Sequence, residues 1–353
     1  MRFVQPVMVA LAIAPVLLGQ PPRIENARLE TRQVSGGLDA TMRAALNAQS
    51  SPAWIGYAEP IVPGDHQMCC WNDNVRGCFL EPHTNAQPIA ASSNQTVKLE
   101  GPTHLVVLYR IEEHRIDKIR AFTPECELDA GGLPFIWLTG VNASDSIQYL
   151  ASVAKDTAAA TRDQWHRAGA AVSALALHAD ASADRVLDEL AAPAQPDQVR
   201  RQAIFWMGSA RGQRGFETLS RIVQQDSSDK IREHAVFALT QSKEPEAMNV
   251  VVRVAHDDKN PRVRGQALFW LAQRAAQKIA ESAIAGAIAN DPETEVKKKA
   301  VFALTRMPGG EGVPLLIQVA RSNPNAALRK QAMFWLGRSK DPRALAFIEE
   351  VLK

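Results

Sequence analysis

The second half of the chain repeats one apolar pattern at a nearly constant interval. Five ten-residue segments align without gaps, each with apolar residues at positions one, five, six, seven and nine: VRRQAIFWMG, IREHAVFALT, VRGQALFWLA, VKKKAVFALT and LRKQAMFWLG. Their central alanines lie 32, 32, 33 and 32 residues apart: Ala203, Ala235, Ala267, Ala300 and Ala332. A weaker sixth copy surrounds Ala171. Such a period predicts a solenoid of about six units, none of which can bury its apolar face alone.

Each unit contains two stretches with helical periodicity. In the first stretch Val199, Ala203 and Met207 are four residues apart and share one helix face. The second stretch has its own apolar stripe, formed in one unit by Leu219, Ile222 and Val223. The sequence therefore predicts stacked helical hairpins.

These segments resemble the HEAT repeats, in the short bacterial form found in phycobilisome lyases. The resemblance covers residues ~163–353. It rests on an aspartate, a V-[RK] pair and the A-h-x-h-L segment that follows, in which h is an apolar residue and x is any residue. It implies an α-solenoid that binds a protein partner, commonly through the exposed side of its second helices. On this basis we expect the partner to contact Arg221, Gln225, Arg253, His256 and Arg321.

Two series of side chains recur along the array. The first is a ladder of opposite charges six residues apart, which we interpret as bridges between repeats rather than as an anion-binding stripe: Asp226 and Arg232, Asp258 and Arg264, Asp291 and Lys297. The second is aromatic, and we interpret it as packing in which a large Trp fills the space beside a neighbour's small Ala: Phe205, Trp206, Phe237, Phe269, Trp270, Phe302, Phe334 and Trp335. The alternative is an exposed aromatic row that binds a partner.

The first half has a different pattern. Short alternating or apolar runs predict strands at 53–61, 103–111, 115–122 and 134–139, and residues 38–47 predict a helix. We therefore expect a small α+β domain over 20–145, a connecting helix over 146–162 and the repeat array over 163–353. Residues 20–145 resemble no family that we recognise.

The N-terminus has the features of a secretory signal peptide over residues 1–19. A positive start precedes the apolar run Val7–Leu18, which is too short to span a bilayer, and Gly19 and two prolines follow. All four cysteines lie within one 58-residue window, and their even number predicts two disulfides in an oxidising compartment: Cys69, Cys70, Cys78 and Cys126. Adjacent cysteines pair poorly with each other, so Cys69 and Cys70 should bond separately to the other two, in either order. We expect the protein in the periplasm or outside the cell.

The sequence gives little evidence for a metal site or a catalytic site. A metal site that combines the cysteines with His66 and His83 is an alternative, but its spacing matches no paired C-x2-C zinc pattern. His104, His114, Asp65, Glu112 and Glu125 show no catalytic spacing. HEAT-like relatives include bilin lyases and iron-dependent deoxyhypusine hydroxylases with repeated His-Glu pairs, whereas this array has one reversed pair, Glu233-His234. We therefore predict a non-catalytic scaffold without a cofactor or metal; the alternative is a lyase-type or metal-dependent enzyme with its site in the N-terminal domain.

The distribution of charge argues against a nucleic acid partner. Residues 1–195 carry 15 basic and 21 acidic side chains, and residues 196–353 carry 25 and 17. A net charge of +8 spread over the second half is mild for a nucleic-acid-binding domain, so we expect no nucleic acid partner. No apolar run reaches the ~20 residues of a transmembrane helix, so no integral membrane span is expected either.

Overall fold

The computed structural model of the chain describes residues 21–66, 68–72, 75–76, 78–82, 101–157 and 161–353. The predicted signal peptide lies outside these residues. The chain divides into two compact units: residues up to Glu59 with Gly64–Asn142, and Pro60–Pro63 with Ala143–Lys353. The division falls close to the predicted boundary at residue 145.

Among its described residues the first unit contains one helix, α1 (Leu38–Ala48), and ten strands. The strands are β1 (Ile24–Glu25), β2 (Arg28–Gln33), β3 (Ala53–Pro60), β4 (Trp71–Asn72), β5 (Val75–Arg76), β6 (Cys78–Phe79), β7 (His104–Glu112), β8 (Arg115–Phe122), β9 (Leu128–Asp129) and β10 (Pro134–Thr139). The main sheet has the order β2-β10-β3-β7-β8, and β10 runs parallel to both β2 and β3. The strands predicted from apolar alternation are therefore present.

A tight two-residue turn joins β7 to β8. Glu113 and His114 both have positive φ, at 51° and 60°, as a two-residue hairpin turn of type I′ requires. Neither residue favours this backbone region, but contacts outside the hairpin hold the turn. The Glu113 N–H donates to Ser50 O at 3.0 Å, and His114 Nδ1 lies 2.9 Å from Leu46 O.

The core of the first unit lies against the central strands. Trp54, Leu108, Phe135 and Trp137 are fully buried in one cluster together with the disulfide sulfurs. Gly56 admits this packing, because a Cβ there would lie 2.3 Å from Leu108 Cδ2. Two smaller sheets, β1-β9-β6 and the β4-β5 hairpin, complete the unit among the described residues.

The second unit is helical. It begins with α2 (Ala143–Lys155) and continues as six hairpins: α3 (Arg162–Ala176) with α4 (Ser182–Ala191), α5 (Asp197–Ala210) with α6 (Gly212–Gln225), α7 (Asp229–Leu239) with α8 (Ala247–Asp257), α9 (Pro261–Arg274) with α10 (Gln277–Asn290), α11 (Thr294–Leu304) with α12 (Val313–Ser322), and α13 (Ala326–Arg338) with α14 (Pro342–Leu352). A short 3-10 turn, Pro308–Gly310, precedes α12. The predicted helical repeats are confirmed. The helix predicted to connect the two domains is α2, and it packs on α3 and α4 within the second unit.

The repeated alanines lie in the interior of the helical stack. Each of the five central alanines, and Ala171 in the weaker copy, has no exposed surface. Each first helix packs on the first helix of the next hairpin, from α3 through α13. A small side chain at these buried positions leaves room for neighbouring helices to pack closely.

Candidate protein-binding surface

The side chains predicted to contact a partner all lie on second helices and face outward. Arg221 and Gln225 are on α6, Arg253 and His256 on α8, and Arg321 on α12, and all five are exposed. Two of them contact carboxylates at the surface: His256 Nδ1 lies 2.5 Å from Asp257 Oδ1, and Arg321 Nη2 pairs with Glu350 Oε2 at 2.9 Å. Surface pairs of this kind contribute little stability, so these groups remain available to a partner.

The polar surface is interrupted at α10. This helix lies between α8 and α12 in the chain and has the sequence QKIAESAIAGAIAN. At the positions equivalent to Arg253 and His256 it carries Gly286 and Ala289, and a Cβ added at Gly286 would meet no atom within 4 Å. The predicted residues on α6 and α8 thus form one patch, which contains Arg221 and Arg253, and Arg321 lies apart from it on α12.

The charged ladder has a different pairing from the one predicted. Each aspartate carboxylate pairs with the arginine of the preceding hairpin, not with the basic residue six positions later. Arg232 Nε donates to Asp258 Oδ2 at 2.8 Å, and Arg264 Nε donates to Asp291 Oδ2 at 2.7 Å, each with a second bond from Nη2. The six-residue spacing is also used, but through the backbone: Arg232 Nη1 donates to Asp226 O and Arg264 Nη1 to Asp258 O, both at 2.8 Å.

The true pairing has a signal in the sequence. Its spacing is 26 or 27 residues, which adds Arg200 with Asp226 to the series although residue 194 is not acidic. At the next junction the residues at this spacing are Lys297 and Asn323, so a lysine replaces the arginine and an asparagine replaces the aspartate. Lys297 Nζ instead donates to Ala289 O at 3.0 Å. The ladder is buried and joins consecutive repeats, and its neutralised charges are not a binding site.

The electrostatics of the ladder follow from this burial. The side chains of Arg264 and Asp291 are 8% and 5% exposed. Burial alone would raise the pKa of the Asp291 carboxyl, but the hydrogen bonds from Arg264 and from the Glu293 N–H hold it below its ordinary value. A hydrogen bond to Asp291 likewise raises the pKa of the Arg264 guanidinium. The pair is therefore ionised throughout the physiological range.

The aromatic series forms one continuous row along the first helices. Phe205 stacks on Phe237 at 6.0 Å between ring centroids, and Phe237 lies 4.7 Å from Trp270. The contacts continue in the same alternating way through Phe269, Phe302, Trp335 and Phe334. Trp270 and Trp335 thus contact the phenylalanine of the preceding unit, which is the neighbour of the small alanine to which we assigned the contact. Trp206 contacts Phe205 of its own unit.

This row is half-buried rather than internal. Most of its rings are partly exposed, and Phe334 is 56% exposed. Arginines cover its C-terminal end: Arg306 lies 4.8 Å from the centroid of Phe302, and Arg338 lies 5.8 Å from that of Phe334. The row therefore combines packing between repeats with an accessible aromatic surface, two roles that the sequence presented as alternatives.

A buried serine–histidine pair lies in the second unit. Ser146 Oγ on α2 is 2.8 Å from His178 Nε2, and Nδ1 of the same ring is 2.8 Å from Ala174 O. A carbonyl only accepts, so Nδ1 carries the proton and Nε2 accepts from the serine hydroxyl. Desolvation lowers the pKa of His178 to about 4. Both side chains have no exposed surface, so the pair holds α2 to the end of α3 and cannot reach a substrate.

The Glu233-His234 pair of the array also has a structural role. His234 Nε2 lies 2.9 Å from Arg201 O, and burial lowers the pKa of its imidazole. Glu233 Oε1 pairs with Arg262 Nε at 2.7 Å. The two side chains therefore have partners in neighbouring helices and do not converge.

In the first unit the structure resolves the order of the disulfides. Cys69 bonds to Cys126, and Cys70 bonds to Cys78. The sulfurs are therefore not free to bind a metal with His66, and His83 lies outside the described residues. Across the described part of the chain, no group of three or more His, Cys, Asp or Glu side chains is arranged to hold a metal ion.

The acidic and histidine candidates of the first unit are dispersed. His104 Nδ1 lies 2.8 Å from Thr103 Oγ1, whereas His114 Nδ1 contacts the backbone carbonyl of Leu46 in the last turn of α1. Glu112 joins a cluster around the buried Arg110, which also binds Glu81 and Asp117. The hydrogen bond that Arg110 Nε donates to Glu81 raises the pKa of the Arg110 guanidinium, so this cluster is an internal salt bridge.

Comparison with known proteins gives a family match for the second unit. The sequence profile of the HEAT repeats matches residues 183–272 and 282–353. No curated protein matches the chain.

Solved structures of helical-repeat proteins resemble part of the chain. One is human deoxyhypusine hydroxylase in complex with glycerol, 19% identical, with 59% of this chain and 75% of that chain covered and a TM-score of 0.29. The CpcE–CpcF complex of phycocyanin lyase from Nostoc sp. PCC7120 is 16% identical, with 56% and 77% covered and a TM-score of 0.32. Kap121p bound to Nup53p is 14% identical, with 55% and 25% covered and a TM-score of 0.35.

At these identities and scores the likenesses carry no argument about activity. The profile match, the alanine period and the stacked hairpins agree on the fold of the second unit. Residues 183–272 and 282–353 of this chain are HEAT repeats.

Proposed function

We propose that the chain is an exported, non-catalytic scaffold that binds a protein partner through the surface of its HEAT repeats. The observation that carries the proposal is the outward-facing patch of Arg221, Gln225, Arg253 and His256 on two second helices that pack on each other, in which the two arginines supply the positive charge. Repeat arrays present extended surfaces of this kind because each hairpin adds one more row of exposed side chains.

Export is supported by the N-terminal sequence and by the cysteines. The run Val7–Leu18 has the length and flanks of a signal peptide, and all four cysteines are paired in disulfides. Among the described residues no helix is both long enough and apolar enough to cross a membrane.

A non-catalytic role is supported by where the candidate reactive groups lie. Ser146, His178 and His234 have partners inside the helical stack, and the cysteines are oxidised. The enzyme alternative, with a site in the N-terminal domain, has no residue constellation in its favour among the described residues.

The test is affinity capture from an envelope fraction with the full chain as bait. We expect Arg221→Glu with Arg253→Glu to abolish recovery of a partner identified by mass spectrometry, because the variant reverses the charge of the patch. The matched control is Lys259→Glu with Lys340→Glu, which makes the same charge change at exposed positions outside the patch. Equal recovery with both variants would contradict the assignment of this surface.

A further inference from the structure

The first unit has an edge strand, β2, that is open to pairing. All six of its residues are exposed, and among the described residues no strand pairs with its free side. It contains no proline or lysine, and its register with β10 is continuous over its whole length. At the opposite edge of the sheet β8 carries Lys118 and pairs with β7 through a register shift. Lysines and bulges keep an edge strand from pairing, so β8 is protected and β2 is not.

Alternate residues of β2 direct their backbone groups to the free edge. The Arg28 N–H donates to Leu133 O at 3.2 Å, and the Val34 N–H donates to Thr139 O at 2.9 Å, both on the side of β10. Because the backbone groups of successive residues alternate between the two sides of a strand, the even-numbered residues bond to β10. The residues whose N–H and C=O groups point to the free edge are the odd-numbered ones: Leu29, Thr31 and Gln33.

The even-numbered side chains carry charges of alternating sign. Arg28, Glu30 and Arg32 lie on one face, since side chains two residues apart share a face of a strand. Arg32 donates to both carboxylate oxygens of Glu30, from Nε at 2.6 Å and from Nη2 at 2.9 Å. The two side chains are 44% and 58% exposed, so the charges of another strand can reach them.

A second copy of β2 complements this edge about a two-fold axis at Thr31. Two antiparallel copies centred there set Thr31 opposite itself and Leu29 opposite Gln33 of the second copy. Every outward N–H of one strand then meets an outward C=O of the other. Between these pairs, Glu30 of each copy lies directly opposite Arg32 of the other, in the close pairs where cross-strand side chains interact most.

The other two-fold registers are less complementary. An axis at Glu30 or Arg32 sets a charged side chain directly opposite its own copy, which is destabilising. An axis at Leu29 or Gln33 places outward backbone groups past the end of the other strand, where β2 offers them no partner. The axis at Thr31 avoids both faults.

We propose that the chain forms a homodimer in which two β2 strands pair antiparallel about a two-fold axis at Thr31. The main sheets of the two copies then continue into one another. The contact uses the same strand of each copy, so the assembly closes at two. This interface is in the first unit and does not depend on the patch on α6 and α8.

Sedimentation velocity of the full chain over a range of concentrations tests the dimer. The chain should sediment with twice its own mass at high concentration and dissociate on dilution. Thr31→Pro removes an outward N–H and leaves the bonds to β10 in place, so it should raise the dissociation constant by about tenfold or more. A parent chain that is monomeric at every concentration overturns the proposal.

Two charge variants test the pairing itself. Glu30→Arg and Arg32→Glu each place like charges opposite one another, and each should raise the dissociation constant by about tenfold or more. An equimolar mixture of the two should form a heterodimer, because every facing pair then has opposite charges. Recovery in the mixture also shows that both variants are folded. Single variants that dimerise like the parent, or a mixture that stays monomeric, overturn the proposal.

Engineered cysteines locate the axis. Thr31→Cys brings two Cα atoms to about 5.5 Å across the axis, within the range of a disulfide, so mild oxidation should give a covalent dimer on a non-reducing gel. Gln33→Cys is the matched control, because its two copies lie about 13 Å apart along the strands and should not bond. Bonding at residue 33 without bonding at residue 31 contradicts the proposed register.

A different occupant of the edge gives a different result. If β2 pairs with a strand of another protein, the parent chain should be monomeric and Thr31→Pro should abolish capture of that protein from an envelope fraction; this result overturns self-pairing. The variant with charge reversal at Arg221 and Arg253 keeps β2 intact and should dimerise normally. Loss of capture in a variant that still dimerises therefore bears only on the patch, and a monomeric parent chain with normal capture contradicts only the dimer.

Discussion

Small residues at the helix contacts determine how closely the hairpins approach. Gly208 on α5 faces the backbone of α7, where a Cβ would lie 2.1 Å from Ala238 O. Gly286 on α10 is also within a helix, but a Cβ there would meet no atom within 4 Å. Replacing each of these two glycines by alanine therefore distinguishes the cost of crowding a close helix contact from the gain in helix propensity.

We expect Gly208→Ala to lower the free energy of unfolding by about 1–3 kcal/mol, because the α5–α7 contact must open. Gly286→Ala should raise it by about 0.5–1 kcal/mol, since alanine loses less backbone entropy in a helix. Urea unfolding followed by circular dichroism measures both changes. A stabilising effect at position 208 would show that the two helices do not approach as closely as described.

A single imidazole gives the second unit a pH dependence. The pKa of His178 is about 4 in the folded chain against an ordinary value of 6.5, because the ring is desolvated. Between these values the unfolded chain takes up a proton that the folded ring does not, so the free energy of unfolding falls as the pH falls from 6.5 to about 4. The loss reaches about 3 kcal/mol and is absent above pH 6.5.

The measurement is urea unfolding at several pH values between 4 and 7. His178→Gln keeps an amide that can bind Ala174 O and does not titrate, so its stability should depend less steeply on pH in this window. The other histidines are common to both proteins and cancel in the comparison. An unchanged slope in the variant would mean that His178 is protonated in the folded state.

At the scale of elements, the arginine on each of α5, α7 and α9 joins that first helix to the loop between its own hairpin and the next one. One guanidinium holds a backbone carbonyl of its own loop and a carboxylate of the next one. The Asp291 carboxylate also accepts from the Glu293 N–H at 2.9 Å, which fixes the loop before α11. The ladder thus positions consecutive hairpins as well as neutralising buried charge.

A double-mutant cycle tests this coupling. Asp291→Asn leaves the buried Arg264 without a counter-charge and should cost about 3 kcal/mol of unfolding free energy. Adding Arg264→Lys should recover part of this loss, because the pair then has the composition of Lys297 and Asn323 at the next junction, where the lysine bonds to a backbone carbonyl. Additive losses in the double variant would show that the two side chains are not coupled.

At the scale of the whole molecule, two units with different cores share one chain. All four cysteines lie in the first unit, and one disulfide joins residues 57 positions apart. The second unit relies on contacts between neighbouring hairpins, which need no covalent link.

Reduction should therefore destabilise only one part of the chain. Loss of the Cys69–Cys126 bond should cost the first unit about 2–4 kcal/mol, because the unfolded segment regains the freedom of a long loop. Hydrogen exchange read out by mass spectrometry, with and without a reducing agent, should show faster exchange in peptides from β3, β7 and β10 and unchanged exchange in α5 to α13. Faster exchange in both regions would mean that the two units unfold together.

The sequence by itself determined the repeat array, because a 32-residue alanine period allows only a stack of similar helical hairpins. It also determined the strands at 103–111 and 115–122, where alternation predicts one buried face. These features are local or periodic, and their physical cause is contained in neighbouring residues.

Only the tertiary structure decided which groups meet across longer separations. The partner of Asp258 is Arg232 of the preceding hairpin rather than Arg264, because a carboxylate pairs with the guanidinium that stacking brings to it. The order of the disulfides, the contact between Ser146 and His178 and the half-exposed aromatic row depend in the same way on how the elements pack.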